Sequence, residues 1–228
     1  MWNKRATGIA ATAALIAVLS AIGSAAAFLV STDAKVNSFA VGEVEISVIE
    51  PAWEEGTAST ALEPGQQVEK DPVIKNTGVN DAFVFMVLDL PKAMGLMLFD
   101  ENGSLQRTPP DKGTLLFEPQ LAAGYDRHWK IISETDIDDP DREYLRQVWA
   151  YAVPQGEAFG MKSLAPGDST LPLFEAVRYT WAVEGQGLTE KRFNLPVCGY
   201  AIQAESLGTD EPAKVWNILY SQTGQTGH

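Results

Sequence analysis

The chain has 228 residues, of which 45% are hydrophobic and 21% charged, and its formal net charge is −13. This composition is typical of a globular protein with one sizeable core and excludes a largely disordered chain. The acidic charge argues against nucleic acid and anionic lipid as partners, since both are negatively charged. The single cysteine, Cys198, excludes an intramolecular disulfide, and its apolar neighbours predict a buried, unreactive thiol.

The first 27 residues have the pattern of a signal peptide. Lys4 and Arg5 precede a long uncharged apolar run, and the run ends in small residues, with Ala25 and Ala27 at the positions that a signal peptidase recognises. We expect cleavage after Ala27, so that Phe28 begins a mature chain with a net charge of −15, because the two positive charges are removed. The alternative is an uncleaved membrane anchor, against which the alanine-rich composition argues.

The segment that follows the cut alternates apolar and polar residues like an extended strand. Phe28, Val30, Ala34 and Val36 fall on its apolar face. A second alternating run begins directly afterwards, at residue 43. We therefore divide the chain into a signal peptide at 1–27, an N-terminal strand at 28–41 and one folded domain at 42–228.

Strand signals dominate the folded domain. The run from Ala82 to Leu90 is almost entirely apolar, which predicts a core strand buried on both faces. The segment from Glu211 to Tyr220 has a helical pattern with Pro212 near its start. These signals predict an all-β fold, an antiparallel β-sandwich of jelly-roll type with a short C-terminal helix. Other strands are predicted at 43–49, 67–75, 125–132, 144–153, 169–174, 176–181 and 195–205, with a hairpin at 98–105 that turns at Asn102-Gly103.

The sequence contains no pattern that predicts an enzyme. It has two histidines and lacks the H-E-x-x-H zinc motif, the G-x-S-x-G nucleophile elbow and a glycine-rich phosphate loop. His128 lies beside Trp129 in a strand-like segment, which favours a packed or surface side chain over a catalytic base. We therefore predict a protein without catalytic activity and without a cofactor.

Two acidic segments are weak candidates for calcium binding. The turn from Asp100 to Gly103 resembles the start of a calcium loop, although a hairpin turn is its simpler interpretation. Asp136, Asp138, Asp139 and Asp141 place four carboxylates within six residues, and calcium prefers several oxygen ligands from a short stretch. Neither segment continues into the full D-x-D-x-D-G-x5-E pattern of a calcium loop. The simpler interpretation is a solvated acidic loop from residue 136 to residue 142.

Two segments resemble the TasA/camelysin family of exported bacterial proteins. The first joins the alanine-rich cleavage site to the stretch from Phe39 to Ile46, which is similar to the family's phrase F-x-x-G-x-V-x-I. The second, from Leu62 to Gly78, is similar to the family's pattern L-x-P-G-x-x-x-x-K-D-x-x-x-x-N-x-G. Together they cover the chain to about residue 90, and the C-terminal half matches only loosely.

The resemblance implies a jelly-roll subunit of a biofilm-matrix fibre. In such fibres the N-terminal strand of one subunit completes the sandwich of the next, so the donor residues here would be Phe28, Val30, Ala34 and Val36. The apolar face of this segment is consistent with such an arrangement, because insertion into a neighbour's open sheet edge buries an apolar strand that would otherwise be exposed. Donor and acceptor surfaces differ, so the contact is head to tail and grows filaments. We expect an acceptor groove bordered by apolar strands such as the one from Ala82 to Leu90.

We therefore expect a secreted structural protein of the extracellular matrix or cell surface. Its partners would be further copies of itself and an accessory or anchoring matrix protein, with no nucleic acid and, after signal cleavage, no membrane. Some family members carry a metallopeptidase label, and a camelysin-like peptidase is the enzyme alternative, although a recognisable zinc motif is missing here.

A second alternative is a monomeric surface-binding module. In that case the segment from 28 to 41 would fold back as the first strand of its own sandwich. Four tryptophans are candidates for a sugar site in such a module, although packing in the core is the simpler explanation: Trp53, Trp129, Trp149 and Trp181.

Overall fold

The computed structural model describes residues 27–29, 40–41, 44–51, 61–100, 102–109, 113–139, 142–183, 186–188, 192–205 and 207–222. At nine of these positions the description covers the backbone alone: Ala27, Phe28, Leu29, Ala40, Val41, Ala61, Asp139, Arg142 and Arg192. The predicted signal peptide before Ala27 lies outside these ranges, and so do several other residues singled out above: Val30, Ala34, Val36, Trp53 and Asp141.

Strands make up most of the described chain, and one helix follows them. The first strands are β1 (Ala27–Leu29), β2 (Ala40–Val41), β3 (Ile46–Ile49), β4 (Ala61–Leu62), β5 (Gln67–Glu69), β6 (Val73–Asn76), β7 (Ala82–Met94), β8 (Met97–Phe99) and β9 (Leu105–Arg107). They are followed by β10 (Gly113–Leu115), β11 (Phe117–Leu121), a short 3-10 helix (Tyr125–Arg127), β12 (Trp129–Asp139), β13 (Arg142–Gln155), β14 (Ala158–Met161), β15 (Phe174–Tyr179), β16 (Arg192–Phe193), β17 (Val197–Gln203) and the helix α1 (Pro212–Gln222).

The main sheet is built around β7. Its strand order is β12-β13-β7-β17-β2, with β10 added beside the end of β7 and β14 beside the end of β13. The pairs of β7 with β13 and with β17 are antiparallel, whereas β2 lies parallel to β17. The centre of the sheet is therefore the apolar run that begins at Ala82.

The side chains of β7 alternate between two cores. Val84, Met86 and Leu88 belong to one buried cluster, and Phe83 and Phe85 belong to the other. Residues Ala82 to Leu88 are all less than 9% exposed. The prediction of a strand buried on both faces is confirmed.

Each face of the main sheet is covered by a different kind of layer. The second β layer contains the pair β3–β6 and the three strands β11, β15 and β5. The other face packs against α1, where Val215 and Leu219 are fully buried and the ring of Trp216 lies 5.1 Å from that of Phe85. Burial of such aliphatic side chains stabilises the helix by roughly 1.5–3 kcal/mol each. The described part of the chain is thus mostly β with one short C-terminal helix, which confirms the predicted fold class at that level.

Four local predictions are wrong. The predicted strand at 169–174 does not form, because β15 begins only at Phe174. The predicted strand at 125–132 begins instead with the short 3-10 helix Tyr125–Arg127.

The predicted strand from 67 to 75 is split, because Lys70 turns inwards to pair with the carboxylate of Glu50 and Pro72 has no amide hydrogen to donate to a ladder. The predicted acidic loop is also wrong, since β12 continues to Asp139 before β13 begins at Arg142. Pairing with β13 overrides the weak strand preference of the aspartates.

Candidate strand-insertion site

The N-terminal strand β1 lies between two strands that are distant from it in sequence. It is antiparallel to β4, with Phe28 opposite Ala61, and parallel to β16, with Phe28 also opposite Arg192. In the part of the chain that the structure describes, β4 and β16 pair with no strand other than β1. We call the space between β4 and β16 the slot. Without β1, both of its walls would present unpaired backbone groups.

Both walls of the slot pack against the hydrophobic core. Leu62 on β4 is 5% exposed and belongs to the main hydrophobic cluster. Phe193 on β16 packs against that cluster, and its ring centroid lies 6.4 Å from that of Phe117. The slot is therefore an extension of the folded core that one short strand completes.

A glycine turn fixes the end of β4. Gly65 has φ of 78°, and its backbone nitrogen donates a hydrogen bond to the carbonyl of Tyr179 at 3.0 Å. The indole of Trp181 lies against Gly65, so a Cβ at this position would overlap the ring. Both the positive φ and the close approach require glycine. The turn joins β4 to the end of β15 and so positions one wall of the slot.

The second strand of the N-terminal segment, β2, adds to the edge of the main sheet. Ala40 lies opposite Ala201 on β17, and Val41 lies opposite Ile202. Both edges of β7 are already occupied, by β13 and by β17. The expectation that the segment from Ala82 to Leu90 borders the acceptor groove is therefore wrong, because that strand lies at the centre of the sheet.

Two residues of the second family-like segment have structural roles that the sequence did not reveal. Lys70 is 2% exposed and forms an ion pair with Glu50. Asn76 is fully buried, and its amide nitrogen donates to the carbonyls of Asn80 and Leu164, both at 2.8 Å. Its side-chain oxygen accepts a hydrogen bond from Gly78 at 3.0 Å. These residues cross-link the second β layer, since buried polar groups are stable only when they are paired.

Two of the four calcium candidates, Asp136 and Asp138, have side chains that the structure describes. Asp136 and Asp138 lie in β12 with exposed side chains, and Lys92 donates to Oδ1 of Asp136 at 2.6 Å. The described ranges contain no group of three or more His, Cys, Asp or Glu side chains arranged to hold a metal ion. Calcium binding stays a prediction from the sequence.

The two other candidate reactive groups lie in packed surroundings. The ring of His128 stacks on Tyr151 at 6.5 Å, and its Nδ1 is buried without a hydrogen-bond partner among the described atoms. Cys198 is half-buried, and burial raises the pKa of its thiol, with a further rise from the charge of Asp89. A raised pKa lowers the thiolate fraction and hence the reactivity of the thiol.

Comparison of the chain with protein-family models, with curated proteins and with solved structures gave no significant match in any of the three. Within the described ranges, no helix has both the length and the apolar composition needed to cross a bilayer. The functional argument therefore depends on the residues of the slot and on the motifs in the sequence.

Proposed function

We propose that the protein is a secreted structural subunit of an extracellular matrix fibre. Subunits join head to tail when the N-terminal strand that begins at Phe28 enters the slot of the next subunit. The observation that carries the proposal is the pairing of β1, which is the sole described partner of both walls of the slot. A second copy can make the same contacts, as in domain swapping, because the strand and the slot are identical in every copy.

The segment between the two N-terminal strands is long enough for exchange between neighbours. Ten residues, 30–39, separate β1 from β2. An extended chain of that length reaches roughly 33–36 Å. A donor strand therefore reaches a subunit beside its own domain, and the tether holds the two subunits close together. This arrangement favours a continuous filament over loosely connected particles.

The proposal includes a jelly-roll connection of the strands, export through the signal peptide at 1–27 and a location in the matrix or at the cell surface. It assigns no catalytic activity. The resemblance to the TasA/camelysin segments supports it, and the acidic charge supports a protein that stays soluble until its strand is donated. The partners are other copies of the chain and an accessory or anchoring matrix protein.

The test is negative-stain electron microscopy of two purified forms, one that begins at Phe28 and one that begins at Ser38. We expect filaments from the first form and soluble monomers from the second. A synthetic peptide of residues 28–37 should then bind to the shorter form and block its slot. Filaments that persist in the shorter form would overturn the donation mechanism.

A monomeric binding module is the second candidate, and one observation favours it. In the single chain, β1 and β2 pair with strands of the same chain, so the sandwich is completed from within. Trp129 and Trp149 are buried, whereas Trp181 is 48% exposed and is the described tryptophan best placed for a ligand. Monodisperse particles from both forms in the same micrographs would favour this candidate, and quenching of tryptophan fluorescence by wall polysaccharide would then test it.

A further inference from the structure

The turn of the β8–β9 hairpin holds the single Asn-Gly pair of the sequence. Asn102 and Gly103 are exposed at the tip, between the register partners Phe99 and Leu105. Gly103 has φ of 76°, and nothing lies within 4 Å of the point where a Cβ would be. Both residues of the pair are therefore open to water, and the space beside Cα of Gly103 is empty.

An asparagine followed by glycine can lose its side-chain amide without an enzyme. The backbone nitrogen of Gly103 attacks Cγ of Asn102, the new N–Cγ bond closes a succinimide ring, and the Cγ–Nδ2 bond breaks. The proton of the attacking nitrogen leaves with the amide group as ammonia. Water then adds to one of the two ring carbonyls and breaks its bond to nitrogen, which gives aspartate or isoaspartate. Water is the sole co-reactant, and nothing is oxidised or reduced.

Asp100 holds this turn closed through both its backbone and its side chain. Its backbone carbonyl accepts a hydrogen bond from the nitrogen of Gly103 at 2.9 Å, and this is the nitrogen that must attack. Its Oδ1 accepts hydrogen bonds from the backbone nitrogens of Asn102 at 2.9 Å and Ser104 at 2.8 Å. The bond from Ser104 lowers the pKa of Asp100, so the carboxylate is ionised and accepts these bonds at neutral pH.

We propose that Asn102 is a site of spontaneous deamidation by water, and that the side chain of Asp100 sets the rate by keeping the turn closed. The reaction must wait for the hydrogen bond of Gly103 to break, which is a local opening and does not require global unfolding. The folded hairpin therefore reacts more slowly than an unfolded chain. This inference is independent of the proposed function.

Deamidation of Asn102 should destabilise the turn in which this residue lies. A carboxylate at position 102 lies close to the ionised carboxylate of Asp100, and like charges at this distance repel. Isoaspartate also adds a methylene to the main chain, which disturbs the pairing of Phe99 with Leu105. Deamidation thus loosens the hairpin irreversibly and changes the net charge of the chain from −13 to −14.

The test is a time course of the full folded chain in warm, mildly alkaline buffer. Proteolytic peptides are analysed by mass spectrometry for the amide-to-acid mass gain, and isoaspartate is labelled with a specific methyltransferase. We expect conversion at Asn102 while Asn76 and Asn80 stay unchanged, since neither precedes a glycine. Asp100→Ala should convert several-fold faster, and the matched variant Asn102→Gln should show no gain at position 102.

Two results would overturn the inference. Absence of conversion in the folded chain, under conditions in which the urea-unfolded chain converts, would show that Asn102 is not a site in the native protein. Equal rates in Asp100→Ala and the unchanged chain would remove the role of Asp100. If Asp100→Ala does not fold, the deamidation rate of the unchanged chain is measured instead, at urea concentrations below its unfolding midpoint. A rate that does not rise there before global unfolding would likewise remove that role.

Discussion

The N-terminal strand and the β12–β13 hairpin belong to the same molecule but are held in opposite ways. β1 has three residues and pairs with strands that begin at Ala61 and Arg192, far away in the sequence. The hairpin has strands of eleven and fourteen residues joined by a two-residue connection. A short strand that closes long loops contributes little and is easily replaced, whereas a long local hairpin forms early and stays paired. Under the proposed function, β1 is the part of the fold that is exchanged between copies.

The exposed edges of the two regions also differ in chemistry. β12 is the outermost described strand on its side of the main sheet, and Glu134, Asp136 and Asp138 place charges along it. Its register with β13 shifts between Ile131 and Ser133, which marks a bulge. Charges and bulges are devices that keep an edge from pairing with other chains. The β12 edge is thus protected against pairing with a further strand, whereas the slot is complete only when a strand occupies it.

The largest effect is expected from a change in the fixed region. Trp129 is 1% exposed, and its Nε1 donates to the carbonyl of Leu171 at 3.0 Å. Trp129→Ala should lower the free energy of unfolding by about 3–5 kcal/mol, because it leaves a cavity and an unpaired carbonyl. The comparison variant Trp181→Ala removes a ring that is 48% exposed and packs on one side against Gly65, so its cost should be clearly smaller. Urea denaturation measures both, and equal losses would contradict the assignment of Trp129 to the fixed core.

A smaller effect should follow from removing the protection of the β12 edge. The double variant Glu134→Val and Asp138→Val takes two charges from that edge and should make the form that begins at Ser38 associate laterally. Sedimentation velocity detects the association. The control is Glu157→Val with Glu205→Val, which removes the same charge from exposed positions outside β12. Association of both variants to the same degree would show that net charge, and not the edge, keeps the chains apart.

The smallest effect concerns Cys198 on β17. Because burial raises the pKa of its thiol, the thiolate fraction near neutral pH is lower than in the unfolded chain, and it rises only as the pH approaches the higher pKa. Cys198 should therefore react more slowly with a thiol reagent in the folded chain than in urea. Asp89→Asn should modestly increase the folded rate, since the charge of Asp89 contributes to the rise. A folded thiol that reacts as fast as the unfolded one would contradict this account.

The sequence predicted those elements whose signals are local. The apolar run of β7, the Asn-Gly hairpin and the helix after Pro212 all depend on spacing or turn chemistry within a few residues, and the structure contains them. The acidic end of β12 has the local pattern of a loop, because aspartate has a weak strand preference, and its pairing with β13 is a tertiary effect that no local pattern reveals.

The slot could not be predicted, because no local pattern indicates that Phe28, Ala61 and Arg192 are neighbours. The family-like motif at 62–78 was informative in a different way. Gly65 is held by a close ring contact, Lys70 by a part-buried ion pair and Asn76 by three side-chain hydrogen bonds. The residues of this motif have structural roles. Its presence is therefore stronger evidence for an architecture than for an activity.

The most direct measurement is disulfide trapping of the register between β1 and β4. Phe28 and Ala61 are antiparallel partners, and cross-strand partners have Cα atoms about 4.5–5.5 Å apart, within the range that a disulfide spans. Phe28→Cys and Ala61→Cys are combined in a mature chain that also carries Cys198→Ser, and Phe28→Cys without Ala61→Cys serves as the control. Strand donation between copies predicts a ladder of disulfide-linked oligomers on non-reducing electrophoresis. A monomer that contains one internal disulfide, with no ladder, would contradict donation and establish that the strand completes its own chain.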